Sequence, residues 1–580
     1  MREGSWLLGV LLACLATSSV KAQCPNVSPP CICAPSVYEP VGILCDNAGS
    51  LQNVIRAINA ARDVQIDSLS ITNTPVSRLN AFAFQGFSII RLVLNRNGLT
   101  AIDPQAFDGP LVESLLELDL SDNALGQIPQ TGVPSLKNLR KLYLNRNRIA
   151  SLPQNAFSNY ESKNMLLKLE LAENRIPDLG SNPVFNPLSA LEELSLEANL
   201  LSRVPSDALR AQRNTLTDLN LGLNNINNVP SGTLQFPELK SLSLEFNGIV
   251  RLPGESLRGV PKLLYLYLTG NKFPAWDSSM FQYVPSLQIL GIGETPIRVI
   301  PANAFTNIRR LIRLEMSEAA VDTIEPGAFQ MTPQIQAIIL NRNRLKRVRS
   351  DMFQNLQELQ SLDLQGNELE TTLQPNTFQG TFLPQSQSEV SLYICDNPWV
   401  CDERLLWFRL WLNEPQNANW VIDKPGYLNG GCNSYCTAPD YFPPNWPIKQ
   451  LPDPSPPVTP GPIQEAPRQV ARSMIGWIIL AVILAILLTS ICLLAVVRYF
   501  VSRRRKQDKD DEEDEKIISS AASQVGPASI ANSAYPIASY TTPPLSIQYP
   551  TPGNPYPPVD IDLPPANSLD DRPNYAYWSY

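Results

Sequence analysis

One apolar pattern recurs through the middle of the chain. Between Ile66 and Leu369, apolar residues fall at relative positions 1, 4, 6 and 11, with a small polar residue, usually Asn, at position 9. Clear copies are Leu115, Leu118, Leu120, Asn123 and Leu125, then Leu139, Leu142, Leu144, Asn147 and Ile149, and later Leu359, Leu362, Leu364, Asn367 and Leu369. Thirteen copies register, with position 9 held by Thr74, Asn97, Asn123, Asn147, Asn174, Asn199, Asn224, Asn247, Asn271, Thr295, Ala319, Asn343 and Asn367, at intervals of 23 to 27 residues and most often 24. Positions 4 and 6 have the period of a short strand, and the wider apolar spacing after them brings the chain back to start the next coil. Each coil therefore pairs its strand with the next in a parallel sheet. A single coil cannot bury its own apolar face, so the stack is the folding unit. An Asn at the turn can bond the backbone of its own and the neighbouring coil, which predicts a ladder of one residue type.

This pattern resembles the leucine-rich repeat family, in its extracellular 24-residue class, over roughly 64–397. The resemblance implies an α/β-type solenoid, a horseshoe with a parallel concave sheet that faces partners. Phe107, Phe157, Phe281, Phe305, Phe329, Phe353 and Phe378 recur late in their units and are expected to stack along the convex side. The ladder weakens at Thr295 and fails at Ala319, in adjacent coils, which reads either as tolerated drift or as a change of curvature or joint at 290–325.

Ten cysteines fall in a telling arrangement. Cys14 and Cys492 lie in hydrophobic segments; the other eight form two groups of four, with none between Cys45 and Cys395. Clustered cysteines at both ends of a secreted repeat array read as disulfide caps that cover bare apolar edges. Each group of four allows three pairings. Cys24, Cys31, Cys33 and Cys45 resemble the family's N-terminal cap, which implies Cys24 with Cys33 and Cys31 with Cys45. Asn397-Pro398-Trp399-Val400-Cys401-Asp402 resembles the C-terminal cap, but Glu403 stands where a second cysteine is usual. Cys401 with Cys436 and Cys395 with Cys432 is the favoured pairing there. Asn26-Val27-Ser28 is the one glycosylation acceptor of the ectodomain.

Two segments set the expected compartment. Residues 1–22 read as a secretory signal. Residues 474–497 carry no charge, enough to cross a bilayer, and Arg498, Arg503, Arg504, Arg505 and Lys506 follow, which puts the C-terminus in the cytoplasm and makes the protein a type I single-pass chain at the plasma membrane. The expected organisation is signal 1–22, N-terminal cap 23–63, repeats 64–388, C-terminal cap 389–438, a Pro-rich stalk 439–473 with eleven prolines in 439–467, membrane helix 474–497 and disordered tail 498–580. The tail fits no kinase or TIR domain. It carries Tyr556-Pro-Pro-Val559, a tyrosine sorting pattern, and Trp578-Ser579-Tyr580, a PDZ-like end, so cytoplasmic adaptors are its expected partners.

The chain has no histidine, which removes Ser-His-Asp and Cys-His nucleophile pairs and imidazole metal sites. Its net charge of −8 is scattered and offers no basic face for nucleic acid. Catalysis, cofactors and metals are not expected. Alternation points the strand residues beside the buried leucines outward. Coils three to six would present Glu117, Asp119, Asp122, Glu170, Glu173, Glu192, Glu193 and Glu197, broken by Arg140, Lys141 and Arg146, with Tyr143 among them; coils eight and nine would present Phe246, Tyr265 and Tyr267. Aromatics beside charge suit protein recognition. The resulting expectation is a recognition or adhesion receptor for an extracellular or cell-surface protein, homophilic pairing included. The second reading is innate immune or scavenger recognition of microbial or matrix ligands.

Overall fold

The computed structural model describes residues 24–354, 356–370, 377, 381 and 390–400, with the elements Leu406–Leu412, Val421–Ile422, Tyr435–Ala438 and Trp446–Pro447. The chain divides into two units, and every described residue belongs to the first, Met1–Asp453 with Pro555–Asn567. The expected signal, membrane segment and tail, with Tyr556, Val559, Trp578 and Tyr580, lie outside the described residues, as do Phe378, Cys401 and Cys432. Among the described residues no helix is long and apolar enough to cross a membrane.

Seventeen strands form one sheet. It starts with an antiparallel pair, Cys31–Cys33 on Gly42–Asp46, and continues as parallel strands to Val421–Ile422. The register is set by position 4: Leu92 opposes Leu118, Leu118 opposes Leu142, and the row continues through Leu169, Leu194, Leu219 and Leu242. All of these are buried, and each such leucine contributes about 1.5–3 kcal/mol over an exposed one. On the return side aromatic rings stack between coils, with centroids 6.4 Å apart for Phe84 and Phe107, 5.2 Å for Phe305 and Phe329, and 5.8 Å for Phe329 and Phe353. Trp276 extends this row, 5.0 Å from Phe305.

The strands are short because the chain turns after position 7. The residue before position 9 is left-handed in every coil, with φ from 46° at Glu294 to 73° at Gly270. Its N–H bonds the next coil's position 7 carbonyl, as Phe246 does to Thr269 at 2.7 Å. The Asn behind it is buried and bonds both coils. Asn147 accepts from Leu125 N–H at 3.0 Å and donates through Nδ2 to the Leu120 and Leu144 carbonyls at 3.0 and 3.1 Å. The same pattern recurs at Asn174, Asn199, Asn224 and Asn247.

The ladder thins where the sequence weakens. Thr295 reaches only its own coil, through the Ile292 carbonyl at 3.2 Å, and Ala319 has no side-chain acceptor for Ile297 N–H. Pro296 also has no N–H at the place where Asn225, Gly248 and Lys272 each bond the preceding coil. A two-stranded parallel sheet, Val299–Ile300 with Thr323–Ile324, joins these two coils on the far side of the turn, and Arg298 pairs with Asp322 beside it. Ala319→Asn is therefore expected to restore the missing rungs, to add about 1–2 kcal/mol of local stability, and to raise hydrogen-exchange protection across 290–325. Unchanged protection would show that the turn is already held by other means.

Both ends are capped. Cys24 is joined to Cys33 and Cys31 to Cys45, the pairing that the resemblance implied. The cap enters the same ladder: Ala48 N–H bonds the Thr74 hydroxyl at 3.1 Å. The helix Leu51–Ala57 follows, with Ser50 accepting from Asn53 N–H at its start. At the other end Trp399 is buried and donates to the Ile394 carbonyl at 3.0 Å, and Cys395 is disulfide-bonded. Trp446–Pro447 pairs antiparallel with Tyr435–Ala438, with Cys436 opposite Trp446. Pro447 fits there because it lies in the edge strand, which needs no donor on its open side.

Candidate protein-recognition face

Residues at positions 3, 5 and 7 line the sheet face, since they flank the buried leucines. In the first half of the array this face is an ion-pair network. Arg91 joins Glu39 at 3.1 Å and Glu117 at 2.9 Å, and Lys141 lies 3.5 Å from the same Glu117. Lys168 lies between Glu170 at 3.2 Å and Glu193 at 2.8 Å, and its ammonium is 5.9 Å from the centre of the Tyr143 ring. Tyr143 is held neutral, its phenol pushed well up by burial and by Glu117 and Glu170.

The expected acidic field is thus largely paired with cations one coil away. Glu170 in particular is buried, with 9 % of its surface exposed. Alternation gives the direction of this side chain correctly, but Lys168, held between Glu170 and Glu193, packs against it. Burial raises its pKa against the opposing pull of Lys168. Asp122 and Glu173 are also displaced from the strand. Both occupy left-handed turn positions, where Arg146 holds Asp122 at 2.6 Å and Glu173 at 3.3 Å.

Coils eight to eleven differ. Tyr265 and Tyr267 stand two residues apart on the strand Tyr265–Tyr267 and are half-buried on the sheet face. The next coil carries Gly291 and Gly293, in line with Tyr267 and Thr269. A side chain at 291 would come within 3.2 Å of the Tyr267 ring, and one at 293 within 2.5 Å of the Ser317 carbonyl oxygen, so glycine is needed here for space. Both glycines are buried, packed against Tyr267 and the Ser317 backbone, and Arg313 and Glu315 pair in the next coil. Glu245, bonded by Thr269 and Ser243, is pushed up to about 7 by burial, with Glu315 and Glu197 adding to it. This raised carboxyl leaves no local mark in the sequence, because Thr269, Glu315 and Glu197 all belong to other coils.

Phe246 does not join the tyrosines. It is the left-handed turn residue of its coil, φ 47°, and its ring lies over Gly270. The two aromatic groups occupy different faces, the sheet and the turn.

The leucine rich repeat family model matches residues 113–167, 214–273, 285–345 and 333–381 of the solenoid. Lumican of Gallus gallus is 31% identical over 168 residues, 28% of this chain and 45% of lumican. Keratocan of Gallus gallus is 31% identical over 210 residues, 36% of this chain and 54% of keratocan. The chain thus spans about half the length of the curated relatives it matches. Among solved structures, that of the Toll–Spatzle complex aligns with a TM-score of 0.46 at 18% identity, covering 72% of this chain and 69% of that one.

Proposed function

We propose that the protein is a cell-surface recognition or adhesion receptor that binds a protein partner through the sheet face of its repeats, with 474–497 as its membrane anchor and the tail as an adaptor-binding segment. The observation that carries this reading is the tyrosine pair half-buried on the sheet face, Tyr265 and Tyr267. Half-buried rings offer contact area at low entropy cost. The ion-pair network of coils two to six supplies steering and selectivity more than affinity.

The test is a screen of cells displaying the full chain against a library of cell-surface ectodomains, repeated with Tyr265→Ala and Tyr267→Ala together. A protein hit whose affinity falls at least ~10-fold in the double variant is expected, the loss of about 1.4 kcal/mol or more that marks an interface anchor. A hit with undiminished affinity would move the contact elsewhere. Binding to bacteria or matrix glycans and to no protein would replace this reading with the scavenger one.

A further inference from the structure

Charge is distributed unevenly along the sheet face. Coils two to five carry Arg91, Lys141 and Lys168 at positions 3, 5 and 7, each within reach of a carboxylate. Coils seven to eleven carry Asp218, Glu245 and Glu315 at the same positions, and among the described residues Arg313 is the one cation there. Arg313 is already paired with Glu315. Lys240, which acts on Asp218, stands one residue before the strand Ser241–Ser243. Coil six adds Glu197, which acts on Glu245. The aromatic pair therefore sits in the part of the face where anions outnumber cations, and a partner with the complementary charge is basic.

The geometry gathers these carboxylates about one ring. Tyr267, Gly291 and Glu315 are aligned at position 5 of coils nine, ten and eleven. The Tyr267 ring packs over Gly291, whose missing side chain would come within 3.2 Å of its Cδ1, so no side chain in that row stands between the ring and Glu315. On the coil-eight side Glu245 is bonded by Thr269, two residues beyond Tyr267. Burial, then Glu315 and Glu245, push the Tyr267 phenol up, so both carboxylates act on it. Gly222 holds position 7 of coil seven, between Glu197 and Glu245, and there too no side chain intervenes in the row. Burial and the like charges of Glu315 and Glu197 all oppose ionisation of Glu245. A cation brought by a partner reverses that penalty. Among cationic side chains, guanidinium is planar and weakly hydrated, stacks on an aromatic face and donates to carboxylates in a fixed fork.

We propose that the partner docks here through an arginine side chain, its guanidinium stacked on the Tyr267 ring and donating to Glu245, with Glu197 and Glu315 supplying the surrounding negative field. This names the chemistry of the partner and rests on the reading of Tyr265 and Tyr267 as the contact.

The test uses the purified full chain and a hexa-arginine peptide carrying a benzophenone at one end, with the labelled residues mapped by mass spectrometry after irradiation. Labelling beside Tyr267, in coils eight to eleven, is expected, and it should be several-fold weaker with a hexa-lysine peptide of the same design. Glu245→Gln is expected to cut the labelling about 10-fold, and Tyr267→Ala likewise, whereas Glu238→Gln, at an exposed carboxylate paired with Lys262, leaves it unchanged. Glu245→Gln keeps the shape of the side chain and removes a charge that burial disfavours, so this variant retains the fold. Labelling confined to other parts of the chain, labelling indifferent to Glu245→Gln, or equal labelling by hexa-lysine would each overturn the proposal. The two readings fail separately. A cell-surface protein whose binding is weakened by Tyr265→Ala with Tyr267→Ala and untouched by Glu245→Gln overturns the arginine and leaves the contact face standing.

Discussion

Asn224→Ala is expected to destabilise the centre of the solenoid by about 3 kcal/mol, read from the denaturant midpoint of the full chain and from exchange of the Leu201 amide. The magnitude follows from what is orphaned. Asn224 donates to the carbonyls of Leu196, Leu221 and Gly222, and each has a second donor: Asn199, Asn247 and the Ala198 N–H. Those losses are moderate. Leu201 N–H, in contrast, gives its bond at 3.0 Å to Asn224 Oδ1 in a buried turn, and an unsatisfied buried donor costs about 1–3 kcal/mol by itself. The void left by the amide adds to this. In a repeat array the damage should stay near coils six to eight, because each coil contacts only its neighbours. A loss spread evenly to the caps, or none at all, would show that the ladder does not couple adjacent coils.

The native chain already contains a version of this variant at Ala319, and the comparison shows why position matters. There the far side of the coil is joined to the preceding one by two residues of parallel strand and by Arg298 with Asp322. Between coils six and seven, which Asn224 joins, the described residues show no strand pairing on the far side. The turn ladder accordingly has more of the coupling to supply at Asn224 than at Ala319.

The repeat was legible because its period forces it: leucines two apart and a polar residue three further on have few other solutions, and the structure places them in register coil by coil. The pairing of Cys31 with Cys45 followed from resemblance, and the structure has it, with the two residues opposed across an antiparallel strand pair. The surface was legible only in part. Asp122, Glu173 and Phe246 look like strand residues under simple alternation, but the chain has already turned left-handed there, and their side chains leave the sheet. Glu170 faces the expected way and is nonetheless buried, since depth is decided by neighbours about 25 residues distant. For the same reason Lys168 and Arg91 were not singled out: an ion pair between coils leaves no local mark in the sequence.

Lys168→Met should be the most damaging single change on the sheet face, and its cost should depend on pH. Lys168 is the cation against which Glu170 is buried, with side chains 14% and 12% exposed. Burial opposes the charge of both groups, and the lysine's own pKa is raised by Glu170 and Glu193. Removing one partner of a buried pair costs about 3–5 kcal/mol because the other charge is left uncompensated. Glu170 has an escape, however: without the lysine its pKa rises further above the unfolded value, and it can take up a proton. A carboxyl whose folded pKa is raised binds more protons folded than unfolded above about pH 4.5, so stability falls as pH rises through that window. The full loss is expected at pH 8, and most of it should vanish near pH 5, in denaturation profiles of the two chains run side by side. Adding Glu170→Gln removes the charge that needed the lysine and should recover most of the stability at pH 8. A loss equal at both pH values, or one that Glu170→Gln fails to relieve, would assign the role of Lys168 to packing against Tyr143 and not to the buried charge.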